Sequence, residues 1–118
     1  MGYDLEVYTI TTHHTDNYTS NVGKMYSHAF EQIKELAEPY LKKAWYRCDD
    51  FKDALNSERE VSLPVIKLML MELKAHAELY KTYNPENKWG NYEGAVQFLQ
   101  KACDVLEQNE NSQLKIEA

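Results

Sequence analysis

The run Ser62–Tyr83, SLPVIKLMLMELKAHAELYKTY, decides how this chain is read. Ile66, Met69, Leu70, Leu73, Ala77 and Tyr80 recur every three or four residues, the period that lines one face of an α-helix. Ser62 suits the N-cap, because a short side-chain oxygen accepts from the first unpaired N–H groups. Pro64 suits the first turn, where no N–H is needed. The helix is expected to stop near Tyr83, since Pro85 pushes Asn84 out of the helical region.

Two further helical patterns flank it. Upstream, Ser20 or Asn21 can cap a helix from about Val22, with Met25, Ala29, Ile33, Leu36 and Ala37 on one stripe and Phe30 beside it. Pro39 ends or kinks that helix near Ala37, and Tyr40–Tyr46 can continue it. Downstream, Val96, Leu99, Ala102, Cys103 and Leu106 form a third stripe. Between the first two, residues 47–60 read as surface with one short helical turn, pinned to the core by Phe51 and Leu55.

The chain ends read as strands. Tyr3–Thr12 alternates, with Leu5 and Val7 toward the core; QLKIEA alternates Leu114 and Ile116 against Lys115 and Glu117. Thr11–Ser20 reads as a polar loop. The expected architecture is a single α+β domain over 1–118, predominantly helical. Three main helices pack on a small two-stranded sheet formed by the N- and C-terminal strands. Such a sheet leaves open edges that a second subunit can cover, which predicts a homodimer.

Composition bounds the function. The 118 residues are 43% hydrophobic and 27% charged, an ordinary globular balance. A net charge of −6 argues against direct nucleic-acid binding and against an anionic membrane surface. Nine tyrosines tilt the reading slightly toward a contact surface. Cys48 and Cys103 are isolated, form no CxxC pair, and point to a reducing cytoplasm. No apolar run reaches transmembrane length, MGYDLEVY is not a signal peptide, and Glu6 breaks the myristoylation pattern.

The segment NPENKWGNYEG, Asn84–Gly94, joins the last two helices and admits two readings. As a cap, it folds back, Trp89 packs over the core, and Tyr92 locks the next helix, with Glu93 at the positive end of its dipole. As a binding surface, Trp89 and Tyr92 offer aromatic faces while Asn87 and Asn91 donate hydrogen bonds. The cap reading is the stronger. The loop bearing His13, His14 and Tyr18, with Asn21 just beyond it, is the second candidate surface.

Catalytic signatures are thin. His13, His14 and Asp16 are metal-ligand types, and His28 and His76 could complete a set, but no HExxH spacing exists. Neither a GxSxG elbow nor a P-loop is present. Asp49 and Asp50 lie in a charged stretch and read as solvated. Met25, Met69 and Met71 read as core before they read as an adaptable surface. Lys34–Arg47, KELAEPYLKKAWYR, mixes cations and aromatics as a single-strand binder would, though acidic neighbours weigh against it.

The segment NPENKWGNYEG resembles the NPxNxWGxYxG ending of a set of small uncharacterised proteins from bacteria and their phages. NVGKMYSHA, with Asn21 and Met25, and SLPVIKLMLMEL resemble their first and middle helices. That set has no established activity, so the resemblance carries over no catalytic residue. It implies a bacterial or phage accessory protein, in the host cytoplasm if phage-encoded. The expected function is non-enzymatic binding, by occupying a host protein surface as a counter-defence inhibitor would, or by sequestering a small ligand. No cofactor is expected. The alternatives are a small metal-dependent enzyme using His13, His14 and Asp16, and an acidic mimic of nucleic acid.

Overall fold

The computed structural model describes the backbone over residues 2–8, 12–44, 47–83, 91–110 and 113–117, and side chains over 22–44, 47–83, 91–110 and 113–114. Its elements, in chain order, are β1 (Gly2–Tyr8), β2 (Thr12–Thr19), α1 (Ser20–Leu41), α2 (Phe51–Leu55), α3 (Arg59–Ala75), α4 (Ala77–Lys81), α5 (Tyr92–Gln108) and β3 (Gln113–Glu117).

This corrects the expected architecture of three helices on a two-stranded sheet. The chain is predominantly helical, with five helices described, and its sheet has three strands in the order β2-β1-β3. Both pairings are antiparallel. The residues read as a polar loop are strand β2. Thr12–Thr19 lies at the sheet edge, where a strand need not be apolar on alternate residues, so the period-2 signal is missing. The register of β1 with β2 slips between Leu5 and Glu6, leaving Thr15 over. Such a bulge twists an edge away from stray pairing.

The helices resolve one open expectation and depart from two others. Helix α1 runs through Pro39 to Leu41, so of the alternatives at Ala37 it continues and does not end there. Proline denies the Glu35 carbonyl its donor, but Glu35 and Pro39 are both exposed, so water can serve it. Helix α3 begins at Arg59, because Val61 and Ser62 both donate to Glu58 O, at 2.9 Å each. Ser62 is therefore interior and fully buried rather than a cap. The long run then breaks at His76, whose φ of −123° and ψ of 43° leave helical geometry and divide α3 from α4. Helix α2 starts with a reciprocal capping box: Asp53 N donates to Asp50 Oδ1 at 3.0 Å, and Asp50 N to Asp53 Oδ2 at 3.3 Å.

Helix α3 is the centre of the core, packed between α1 and α5. Its Val65, Ile66, Met69 and Leu73 are fully buried, against Met25 and Ala29 of α1 and Leu99 and Leu106 of α5. Burying one such side chain stabilises by about 1.5–3 kcal/mol. Strand β3 joins this core through Leu114, which is 1% exposed and stands opposite Val7 in register. Leu36, placed on the core stripe by its spacing, is 66% exposed instead. It lies on the C-terminal half of α1.

Ser62 Oγ is buried and has no hydrogen-bond partner among the described residues. An unmade buried hydroxyl costs stability, and alanine is the better helix former. Ser62→Ala is expected to stabilise the fold by about 1 kcal/mol, read from the urea midpoint. A loss would mean that the hydroxyl is bonded after all.

Candidate binding site

Helix α4 ends and α5 begins beside the N-terminal half of α1, and polar groups gather there. The start of α5 is tied down four ways. Asn91 has extended backbone, and its Oδ1 accepts from Gly94 N at 2.7 Å. A Cβ on residue 94 would sit 3.1 Å from that oxygen, which explains a glycine inside a helix. Tyr92 is buried and donates its hydroxyl to Leu73 O of α3 at 2.8 Å. Lys81 Nζ lies 5.6 Å above the Tyr92 ring. From α1, the buried Tyr26 hydroxyl donates to Ala95 O at 2.8 Å, and its ring packs edge-on to Phe51 with centroids 5.6 Å apart.

The end of α4 carries a second network. Tyr83 Oη and His28 Nδ1 are 2.7 Å apart. The His28 ring also meets Tyr80 edge-on, with centroids 5.4 Å apart, and Tyr80 stacks on Tyr83 at 6.3 Å. Tyr80 is fully buried and donates to Glu72 Oε2 at 2.7 Å. Burial first, then the Glu72 hydrogen bond and charge, raise its phenol well above the ordinary range. Glu72 Oε1 lies 3.8 Å from His76 Nε2 at the α3–α4 break. If Tyr83 donates to His28, the opposite ring nitrogen keeps a proton to offer.

The sequence-predicted residues divide accordingly. Asn91 and Tyr92 do the work of a helix cap, and Tyr92 turns inward. Trp89 and Asn87 lie outside the described residues. His13 stands opposite Val7, His14 opposite Glu6 and Tyr18 opposite Tyr3 in the sheet register, and Asn21 lies in the first turn of α1; their side chains lie outside the described residues. The Tyr80, Tyr83 and Glu72 network escaped sequence reading. Its one visible signal was the spacing of Tyr80 and Tyr83, which puts both rings on adjoining faces of one turn.

A second surface feature is apolar. Ile66, Met69 and Leu73 face the core, and Pro64, Leu68, Met71 and Ala75 fall on the opposite face of α3 at spacings of four, three and four. Met71 is 67% exposed, and Leu79 beyond the break is 44% exposed.

Chemistry at the thiols and histidines is limited. Among the described residues no three His, Cys, Asp or Glu side chains are grouped to hold a metal. His28 and His76 stand at the two ends of the Tyr80–Glu72 network above. Burial pushes the Cys48 thiol up, against a contact 3.8 Å from Ser57 Oγ. Burial, then the Glu107 charge and hydrogen bond, push Cys103 up to about 11. A thiol held protonated is a poor nucleophile. Cys103 is expected to alkylate at pH 8 on the order of a hundredfold more slowly than an unstructured cysteine. Mass spectrometry of a timed iodoacetamide reaction reads this, and parity with the denatured chain would refute it. No helix among the described residues is long and apolar enough to cross a membrane. No protein-family model, curated protein or solved structure matches the chain.

Proposed function

We propose that the chain is a non-enzymatic accessory binding protein of bacterial or phage origin that works by covering protein surfaces in the cytoplasm. The observation that carries this reading is an apolar row on the side of α3 opposite its buried residues. Leu68 in that row still packs against the core, while Met71 is left 67% exposed. The four-three-four spacing of Pro64, Leu68, Met71 and Ala75 is that of a coiled-coil seam, so this face joins two copies of the chain. The host protein is taken elsewhere, by the turn bearing Asn87 and Trp89 ahead of the exposed Asn91, and by the segment carrying His13, His14, Tyr18 and Asn21. The His28–Tyr83 pair supports this assignment, because it props the point from which that turn departs.

Two measurements test the reading. Met71→Arg is expected to weaken self-association at least about tenfold in sedimentation equilibrium, since one charge on an apolar seam costs more than 1.4 kcal/mol. A wild-type chain that stays monomeric at high concentration would remove the dimer. A photo-crosslinking residue at position 87, used in the natural host, is expected to capture one host protein. The same residue at position 101 of α5 is expected to capture none. Equal capture from both, or a gently purified chain carrying stoichiometric metal, would overturn the assignment.

A further inference from the structure

A half-open cleft of about 280 Å³ lies where the end of α1 meets the segment before α2. Three cations line it, Lys34, Lys42 and Arg47, together with the carboxylates Glu38 and Asp49. Leu41 and the buried Cys48 supply its apolar part. In a chain of net charge −6, a concave spot with more cations than carboxylates is unusual.

The charges are also unequally engaged. Asp49 is already held by Arg47, Nε to Oδ1 at 2.7 Å. That contact uses Nε and leaves the two terminal nitrogens of the guanidinium to donate. Lys34 and Lys42 form no ion pair among the described residues, although Glu38 stands four positions from each. Lys34 Nζ rests 6.0 Å from the Phe30 ring centroid. An ordinary solvated stripe would close Lys34–Glu38–Lys42 into neighbouring pairs. Here three donors line one concavity, with Glu38 as an acceptor.

Cys48 adds no chemistry, because its thiol is buried and held protonated. The cleft therefore binds rather than reacts. Its donors suit a doubly charged oxyanion, and arginine's fork matches phosphate geometry. The volume is more than a bare phosphate fills. Glu38 also lines the cleft, and its carboxylate accepts hydrogen bonds from hydroxyl donors. We infer that this cleft binds a phosphate monoester of a small polyol or sugar, the phosphate on Lys34, Lys42 and Arg47 and a hydroxyl on Glu38.

The test is calorimetric titration of the full chain with ribose 5-phosphate and, separately, inorganic phosphate at low ionic strength. Saturable one-to-one binding of the ester is expected, with inorganic phosphate weaker. Lys42→Ala and Lys34→Ala are each expected to weaken the ester about tenfold, the loss of one charge-assisted hydrogen bond. Lys74→Ala, which removes the same charge from α3, is expected to change nothing. Glu38→Gln separates the two halves of the inference: it is expected to tighten inorganic phosphate and not the ester. Absence of saturable ester binding, or equal losses from Lys74→Ala and Lys42→Ala, overturns the site. Tightening of both ligands by Glu38→Gln overturns the ester and leaves only a patch of cations. These side chains are exposed or half-exposed, so the variants fold. Met71→Arg leaves the titration unchanged, so failure here is separate from failure of the binding reading above.

Discussion

Tyr26→Ala is expected to lose about 3–5 kcal/mol of stability, and Tyr26→Phe about 1–2 kcal/mol. The gap between them separates the two jobs of one side chain. The ring fills the space between Phe51 and Phe98, so its loss leaves a cavity that a close-packed core cannot collapse around. The hydroxyl pins α1 to the first turn of α5 through Ala95 O. Removing it alone leaves a helix carbonyl that keeps its own helical donor, which limits the cost. Chemical denaturation with both variants reads the difference. Equal losses would mean that the hydrogen bond, not the packing, holds α5 in place. A negligible loss from the alanine would mean that α1 and α5 do not meet there.

Leu114→Ala should destabilise by about 2–5 kcal/mol, the range for truncating a buried leucine. The strand that carries it is only five residues long, yet Leu114 is 1% exposed. Gln113→Ala is the matched control. Gln113 is exposed, and its Nε2 donates to Asn56 O at 3.0 Å, so its loss is expected to stay within about 1 kcal/mol. Similar behaviour of the two variants would show that β3 rests on the helices without entering the core.

The sequence revealed the helices better than the strands, for a physical reason. Helical stripes such as Leu99, Ala102, Cys103 and Leu106 repeat over several turns, and all four residues are buried. Phe51 and Leu55 were legible as anchors because two apolar residues stood alone in a charged stretch, and α2 buries both. Strand β2 was not legible, since THHTDNYT has no apolar alternation and pairs on one side only. The break at His76 was also hidden. No glycine or proline marks it, and local backbone geometry there is overridden by tertiary contacts such as Tyr80 with Glu72. At the candidate site, the capping role of Asn91 and Tyr92 followed from residue type. The His28–Tyr83 contact spans 55 positions, beyond any local pattern. Ser62 misled because a serine before a proline looks like a cap wherever the real helix starts.

The central strand has one neighbour that follows it immediately and another that arrives after every helix. Asp4 pairs with Asn17 on one side and with Glu117 on the other. As the chain leaves the ribosome, β1 and β2 can close as a hairpin at once, while the far edge of β1 stays bare until α5 has been made. Throughout that interval the nascent protein carries an unpaired strand edge beside unfinished apolar helices, the kind of surface that chaperones and aggregates both recognise. Late closure by β3 also brings the longest loop in the sheet, so the rate of completing the fold should follow that final pairing rather than the formation of any helix.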